Sequence, residues 1–330
     1  MKVLFIGGTG NISTPVSEMA IHRGLDVHHL NRGNKPTING VKTILADYNN
    51  FEQTKQALAQ HQWDVVVNWI AFTPDEIEKD LVLFSDNCKQ YIFISSASCY
   101  SKPPGHPIIT ESTPLKNPHW QYSRDKIACE ELLVKAHRER DFPMTIVRPS
   151  HTYYSIFPLT IGGWIEYTAL DRIKKGKPIV IQGDGTSLWT VTHAYDFAKG
   201  FLGLLGNVLA IGESFHITSD EALSWNQIYQ QMAAAVGCEA KIVHVTTHDI
   251  IKFARATGYE DQEGGLWGDK SHCAIFDNSK IKRFVPDFVA TIPFAQGIKQ
   301  TIEWFEADPS RMLIKEDTVQ FIEGLIAKFG

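Results

Sequence analysis

Val3-Leu4-Phe5-Ile6-Gly7-Gly8-Thr9-Gly10-Asn11-Ile12-Ser13 decides how the rest of the chain is read. Four apolar residues predict a buried strand, and the glycines end it in a turn. Helical periodicity follows over residues 12–23. A strand that feeds a glycine turn into a helix places backbone N–H groups against a pyrophosphate, so the stretch predicts a bound dinucleotide. Ser13 stands where a third glycine would allow close helix–strand packing, and serine is a small substitute.

Outward from this turn, strand and helix patterns alternate. Strands are predicted at 2–6, 26–30, 41–45, 64–69, 90–94 and 144–148, and helices at 12–23, 51–61, 75–85 and 121–138. Alternating β and α units imply an α/β fold, a Rossmann-type doubly wound parallel sheet with right-handed crossovers. His28 and His29 fit poorly inside a buried strand, although the spacing supports one there.

The second half is less regular. Residues 159–175 read as a helix despite Gly162-Gly163, 178–181 as extended chain, and Gly183-Asp184-Gly185 as a turn. Helices are expected at 194–205, 225–236, 247–257 and 294–305, strand-like pieces at 214–218 and 241–245, and a final amphipathic helix at 318–329. This predicts a dinucleotide-binding domain over 1–150 and a smaller α+β substrate lobe over 151–330, with some return of the chain to the first domain. The crevice between them, at the carboxyl ends of the strands, is the expected ligand site.

Bulk composition narrows the function classes. The 330 residues are 43% hydrophobic and 21% charged, with a formal net charge of −5. That charge gives no global pull toward nucleic acid or anionic membrane. Five scattered cysteines without a CxxC, and histidines without metal spacing, point to neither a zinc site nor a disulfide framework. A reducing cytoplasm is expected. Met1-Lys2 leads directly into the first strand, leaving no room for a signal peptide, and no apolar run reaches the ~18 residues of a membrane span.

A second string carries chemistry. Tyr122-Ser123-Arg124-Asp125-Lys126 places a phenol and an amine one helical turn apart on one side of a helix. A phenol can exchange protons near neutrality only if its pKa falls from ~10, and an ammonium about 4 Å away supplies on the order of 4 kcal/mol toward that at an effective dielectric near 20. Ser96 is the expected hydroxyl for holding a substrate oxygen, with Ser95 and Ser98 as rivals. After the second strand, Asn31-Arg32-Gly33 replaces the acidic residue that would bind a ribose 2′-hydroxyl. A guanidinium there can pair with a 2′-phosphate, which favours NADP over NAD. Asp47 is a candidate acceptor for the adenine amino group or, equally, a turn cap.

Glycine turn, Ser95-Ser96-Ala97-Ser98-Cys99-Tyr100, Tyr122…Lys126 and Val147-Arg148-Pro149 occur in the order found in extended short-chain dehydrogenases/reductases. More narrowly, the chain resembles the NAD(P)-dependent epimerase/dehydratase group acting on nucleotide sugars, strongly over 1–150 and more weakly beyond. The resemblance implies Ser96, Tyr122 and Lys126 as the catalytic set. With the glycine turn, it implies a cofactor set of Gly7, Thr9, Gly10, Asn11, Ile12, Asn31, Arg32, Asp47, Ile70, Ala71 and Lys126. The expected activity is hydride transfer on a sugar or sugar-nucleotide-like substrate, as oxidoreductase or isomerase, with a homodimer formed by sheet-domain helices. Ala97 and Ser98 after Ser96 argue against dehydration, because dehydratases of this family place an acid and a base there.

The departures concern the substrate. Where the family carries arginines that clamp a diphosphate, this chain has Trp189-Thr190-Val191-Thr192-His193 and Leu266-Trp267-Gly268-Asp269. Losing both arginines removes charge-assisted bonds to the diphosphate. His151 stands for an Asn that touches the sugar. His151, Trp189, His193 and Trp267 are therefore the expected pocket residues or, equally for the two tryptophans, packing between the lobes. The strings Gln90-Tyr91-Ile92-Phe93-Ile94-Ser95-Ser96-Ala97 and Ile109-Thr110-Glu111 are also similar to the chloroplast stem-loop RNA-binding subgroup. A regulatory or RNA-binding protein on the same fold is the alternative, and Arg172-Ile173-Lys174-Lys175-Gly176-Lys177 is its one compact basic cluster.

Overall fold

The computed structural model describes residues 1–330. Its centre is a parallel sheet of β1 (Lys2–Ile6), β2 (Asp26–Asn31), β3 (Lys42–Leu45), β4 (Val65–Asn68), β5 (Tyr91–Ile94), β6 (Met144–Val147) and β7 (Ser214–Phe215). The order across the sheet is β7-β6-β5-β4-β1-β2-β3. Apolar runs such as Val65-Val66-Val67 and Tyr91-Ile92-Phe93 are buried on both faces because helices cover both sides. The helices between strands are α1 (Ser13–His22), α2 (Phe51–Leu58), α3 (Pro74–Phe84) and α4 (Gln121–Arg140). The direction of winding reverses between β1 and β4, which opens a crevice at their carboxyl ends.

The histidines in β2 have a structural reason. His29 is fully buried, stacks on Phe5 with ring centroids 5.8 Å apart, and sets its Nε2 2.9 Å from the Ser17 hydroxyl. Burial lowers its pKa to about 4, so the ring stays neutral. It also props up the glycine turn: Gly8 has φ +101°, and a Cβ there would lie 2.6 Å from the His29 ring. Gly8→Ala is therefore expected to destabilise the chain by more than about 1 kcal/mol, in a urea titration, through strain at positive φ plus this collision.

Two expectations for the second half are corrected. The helix foreseen at 159–175 is confined to Thr168–Lys174. Ahead of it Gly162 takes φ +88°, and Glu166 accepts from the Gly163 N–H at 2.7 Å, which holds the segment as a loop. The strand foreseen at 214–218 is two residues long and extends the main sheet beside β6. The helix Ala194–Leu202 also packs on the first domain, with Phe197 and Phe201 in one cluster with Val3, Phe5 and Val16. The remaining lobe buries its own core, including Leu170, Ile181, Trp225, Ile228, Ile298 and Phe305. The last helix, Glu316–Phe329, docks Phe321, Ile322 and Leu325 against Val180, Ile250 and Ala254. No helix is long and apolar enough to cross a membrane.

Candidate active site

The carboxyl ends of β1, β4 and β5 open into a cavity of about 470 Å³ that runs between the sheet and the second lobe. One wall is the glycine turn, with Gly7, Gly8, Thr9, Gly10, Asn11, Ile12 and Ser13 all lining it. The N-terminus of α1 therefore faces the cavity. The Thr14 and Val16 N–H groups bond back to the carbonyls of Gly10 and Ile12 at 3.0 and 3.5 Å, and Pro15 has none, so the N–H groups left for a ligand are those just ahead of the helix, at Asn11 and Ile12. Ser13 explains its own place: its hydroxyl accepts from the Gly10 N–H at 2.8 Å and fixes the turn. The Asn11 side chain is committed elsewhere. It donates to the Thr152 carbonyl at 2.9 Å and accepts from the Ser155 N–H at 2.9 Å, joining the turn to the second lobe, so only its backbone is free for a ligand.

A neighbouring cavity of about 270 Å³ shares Gly7, Thr9, Lys35 and Ile70 with the first and is lined also by Asn31, Arg32 and Asp47. Arg32 is exposed there, with no acidic side chain following β2. Asp47 accepts from the Asn49 N–H at 3.0 Å, the turn-capping role, and still borders the cavity. Continuous cavities along the glycine turn and the end of β2 have the shape a dinucleotide needs.

The three serines after β5 separate clearly. Ser95 donates to Glu130 in a buried network, which takes it out of contention. Ser96 and Ser98 line the cavity and share a hydrogen bond of 2.8 Å, and Ser123 donates to Ser98 at 2.7 Å. Tyr122 lines the same cavity, its ring between Trp120 (5.0 Å) and Phe72 (6.3 Å).

The expected role of Lys126 is corrected. Its ammonium is buried and donates to the carbonyls of Ala71 and Ile94 at 2.6 and 2.7 Å, 5.9 Å from the centre of the Tyr122 ring. In this geometry it does not activate the phenol. Burial pushes Tyr122 up to about 12; hydrogen bonding by Ser96 works against this and the Asp269 charge adds to it. Burial also pushes Lys126 down to about 8. The ends of β4 and β5 offer carbonyls that a desolvated amine takes in preference to a phenol. Ala71 thus acts through its carbonyl.

On the far wall, His151 and Trp189 line the cavity. His193 and Trp267 do not, which corrects that expectation. His193 is buried and caps the helix Ala194–Leu202, with its ring stacked on Tyr195 at 5.8 Å. Trp267 lies outside, with its ring 5.9 Å from that of His119 and 6.2 Å from that of His248. Lys35, Lys102, Trp120, Trp164 and Asp269 also line the cavity and were not picked out from the sequence. Trp164 follows the Gly162-Gly163 break, a signal that was open to reading. Lys102 and Asp269 gave no signal as a pair, because they stand far apart in the chain.

The basic stretch from 172 to 177 has its charges paired. Arg172 meets Glu323 at 2.9 Å, Lys174 meets Glu306 at 2.8 Å, Lys175 meets Asp171 at 2.8 Å, and Lys177 meets Glu323 at 3.5 Å.

Comparison with known proteins fits this geometry. The chain is 26% identical over 260 residues to the chloroplast stem-loop binding protein of 41 kDa b of Arabidopsis thaliana, covering 74% of this chain and 65% of that one. It is 24% identical over 249 residues to 2′-dehydrokanamycin reductase of Streptomyces kanamyceticus, covering 72% and 67%. The chain thus spans about two thirds of the length of these relatives. Among solved structures, UDP-glucuronic acid 4-epimerase from Bacillus cereus, in complex with NAD, superposes with a TM-score of 0.71 at 18% identity over 94% of this chain and 100% of that one. The model of the NAD dependent epimerase/dehydratase family matches residues 3–217. Sheet order, glycine turn and family match agree: this chain belongs to the NAD dependent epimerase/dehydratase family, a family of NAD(P)-dependent enzymes.

Proposed function

We propose that the protein is an NAD(P)-dependent oxidoreductase or epimerase acting on a hydroxyl or carbonyl of a sugar derivative. The observation that carries this is the convergence of the glycine turn, Ser96 and Tyr122 on one cavity. When bound, the nicotinamide group accepts or supplies a hydride. The chain provides the rest. N–H groups of the turn without another acceptor, those of Asn11 and Ile12 among them, would hold the pyrophosphate, and the N–H of Lys126 not given to the Ala71 and Ile94 carbonyls would serve a ribose hydroxyl. Ser96 orients the substrate oxygen, and Tyr122 exchanges the proton at that oxygen. The test is saturable quenching of tryptophan fluorescence by NADPH, followed by turnover on a panel of sugar ketones. Neither response would leave the reading without support.

NADP is the proposed preference, carried by the exposed Arg32. Arg32→Ala is expected to weaken NADPH by roughly tenfold, the loss of one solvent-exposed charge-assisted contact, and to leave NADH nearly unchanged. Equal weakening of both in a fluorescence titration counts against the contact.

Lys126 makes cofactor affinity depend on pH. Its ammonium is present below about pH 8 and lost above it. NADPH affinity is expected to fall as pH rises through that value, with no such fall in Lys126→Met. The sign for stability is opposite. An unfolded lysine keeps its proton to ~10.4, so between the two values the unfolded chain binds more protons and the Lys126 contribution to stability rises with pH.

An RNA-binding reading has one relative's name in its favour. Against it, the one compact basic cluster, residues 172–177, has its charges paired with Asp171, Glu306 and Glu323.

A further inference from the structure

Lys102 and Asp269 are an ion pair left half-made. Both line the cavity, with side chains only 1% and 13% exposed, and their single mutual contact is 3.4 Å long. Neither side chain has another hydrogen-bond partner. Buried charges normally gather enough short hydrogen bonds to offset lost hydration. Here an ammonium keeps two N–H groups, and a carboxylate most of its lone pairs, for something else.

A second buried group in the same cavity is also unpartnered. His151 is 7% exposed, and its Nε2 has no hydrogen-bond partner. The Trp189 ring connects the two features, 5.9 Å from the Lys102 ammonium and 6.3 Å from the His151 ring. Trp164 meets the His151 ring edge-on at 5.2 Å and is 41% exposed, closing the outer side.

The segment bearing Asp269 is held firmly in place. Asn117 donates to the Gly268 carbonyl at 2.7 Å and to the Ser98 carbonyl at 2.9 Å, tying the second lobe to the catalytic strand end. A Cβ on Gly264 would come within 2.3 Å of the Trp120 ring. The segment that carries the carboxylate into the cavity is thus tied to the strand end rather than hanging as a free loop.

Charge decides what fits. No arginine lines the cavity. Lys102 is already offset by Asp269, and the nearby Lys270 turns to the Gly265 carbonyl at 3.4 Å, behind Trp164. A diphosphate there would bring two negative charges next to a carboxylate; of the other lysines on the cavity wall, Lys35 reaches the glycine turn at the Thr9 carbonyl, 3.3 Å away, and Lys126 is engaged with the Ala71 and Ile94 carbonyls. Adjacent hydroxyls suit the pair: one accepts from the ammonium while its neighbour donates to the carboxylate, and indole faces cover the apolar side of a ring.

We propose that Lys102, Asp269 and His151, around Trp189, form a subsite for adjacent hydroxyls of an uncharged sugar or cyclitol, and that the substrate carries no nucleotide diphosphate. This rests on the oxidoreductase or epimerase reading of the same cavity.

The test follows tryptophan emission of the full chain, with and without NADP, during titration with D-glucose, D-galactose, myo-inositol and UDP-glucose. At least one free polyol is expected to shift emission saturably, with UDP-glucose binding no tighter than D-glucose. Asp269→Asn and Lys102→Met should each weaken the polyol by about tenfold or more while NADPH binding persists. Tighter binding of UDP-glucose, no response to any free polyol, or unchanged polyol affinity in both variants overturns the subsite. The UDP-glucose comparison uses the unaltered chain, so it decides even if a variant fails to fold. Failure of NADPH to bind the unaltered chain overturns the enzymatic reading instead.

Discussion

Tyr122→Phe is expected to lower kcat by ~10²–10⁴, the range for losing a positioned proton donor or acceptor, while NADPH affinity stays within about threefold of the parent. The phenol lies on the cavity wall with Ser96, and its ring is held between Trp120 and Phe72. Removing one oxygen leaves that packing intact, so the effect falls on chemistry rather than on folding. The structure adds a condition. Burial sets Tyr122 at about 12 while Lys126 is engaged with the carbonyls of Ala71 and Ile94. The phenol is therefore protonated at neutral pH, suited to donate toward a carbonyl. To work as a base it needs a positive charge nearer than Lys126 now stands. Reduction of a carbonyl is accordingly expected to persist at neutral pH, and oxidation of an alcohol to speed up as pH rises. Values of kcat in both directions across pH, at saturating cofactor, check this, and a kcat for oxidation that falls on the alkaline side contradicts it.

The largest stability effect is expected at Glu130. Its carboxylate takes Arg148 Nε at 2.9 Å and Nη2 at 2.6 Å, with the two side chains 3% and 6% exposed. Arg148 also donates to the Tyr100 hydroxyl at 3.2 Å, and Ser95 donates to Glu130. Glu130→Ala strands a buried guanidinium without its carboxylate and should cost about 3–5 kcal/mol. Removing both charges, as Glu130→Leu with Arg148→Met, should cost much less, because no unpaired charge remains. Urea midpoints of the two single variants and the double variant give the answer, and a loss under about 1 kcal/mol for Glu130→Ala contradicts the network. Ser95 lies next to Ser96, so the same pair steadies the strand end that carries the candidate catalytic hydroxyl.

The sheet was legible because its signals are local. Apolar runs bounded by polar or glycine residues give strands, and β1 through β6 fall within a residue or two of where the pattern places them. His28 and His29 look wrong for a strand, yet His29 is required beneath the glycine turn, a contact between β2 and Gly8 that no local pattern encodes. The 159–175 segment misled because apolar residues at helical spacing there serve a loop held by Glu166 and a positive-φ glycine. Site residues divide in the same way. Gly7, Gly10, Ser96 and Tyr122 sit in short strings and were readable. Lys102 and Asp269 meet only through the fold, as does the choice of the Lys126 ammonium between a phenol and two carbonyls. Amphipathic spacing cannot say which way a lysine turns.

The most direct test is a structure of the protein with NADPH bound. The pyrophosphate is expected against the N–H groups of the turn that have no other acceptor, those of Asn11 and Ile12 among them, the ribose within reach of Lys126, and the nicotinamide ring in the cavity beside Ser96 and Tyr122. A dinucleotide seated away from the glycine turn, or a nicotinamide directed away from Tyr122, would contradict the account.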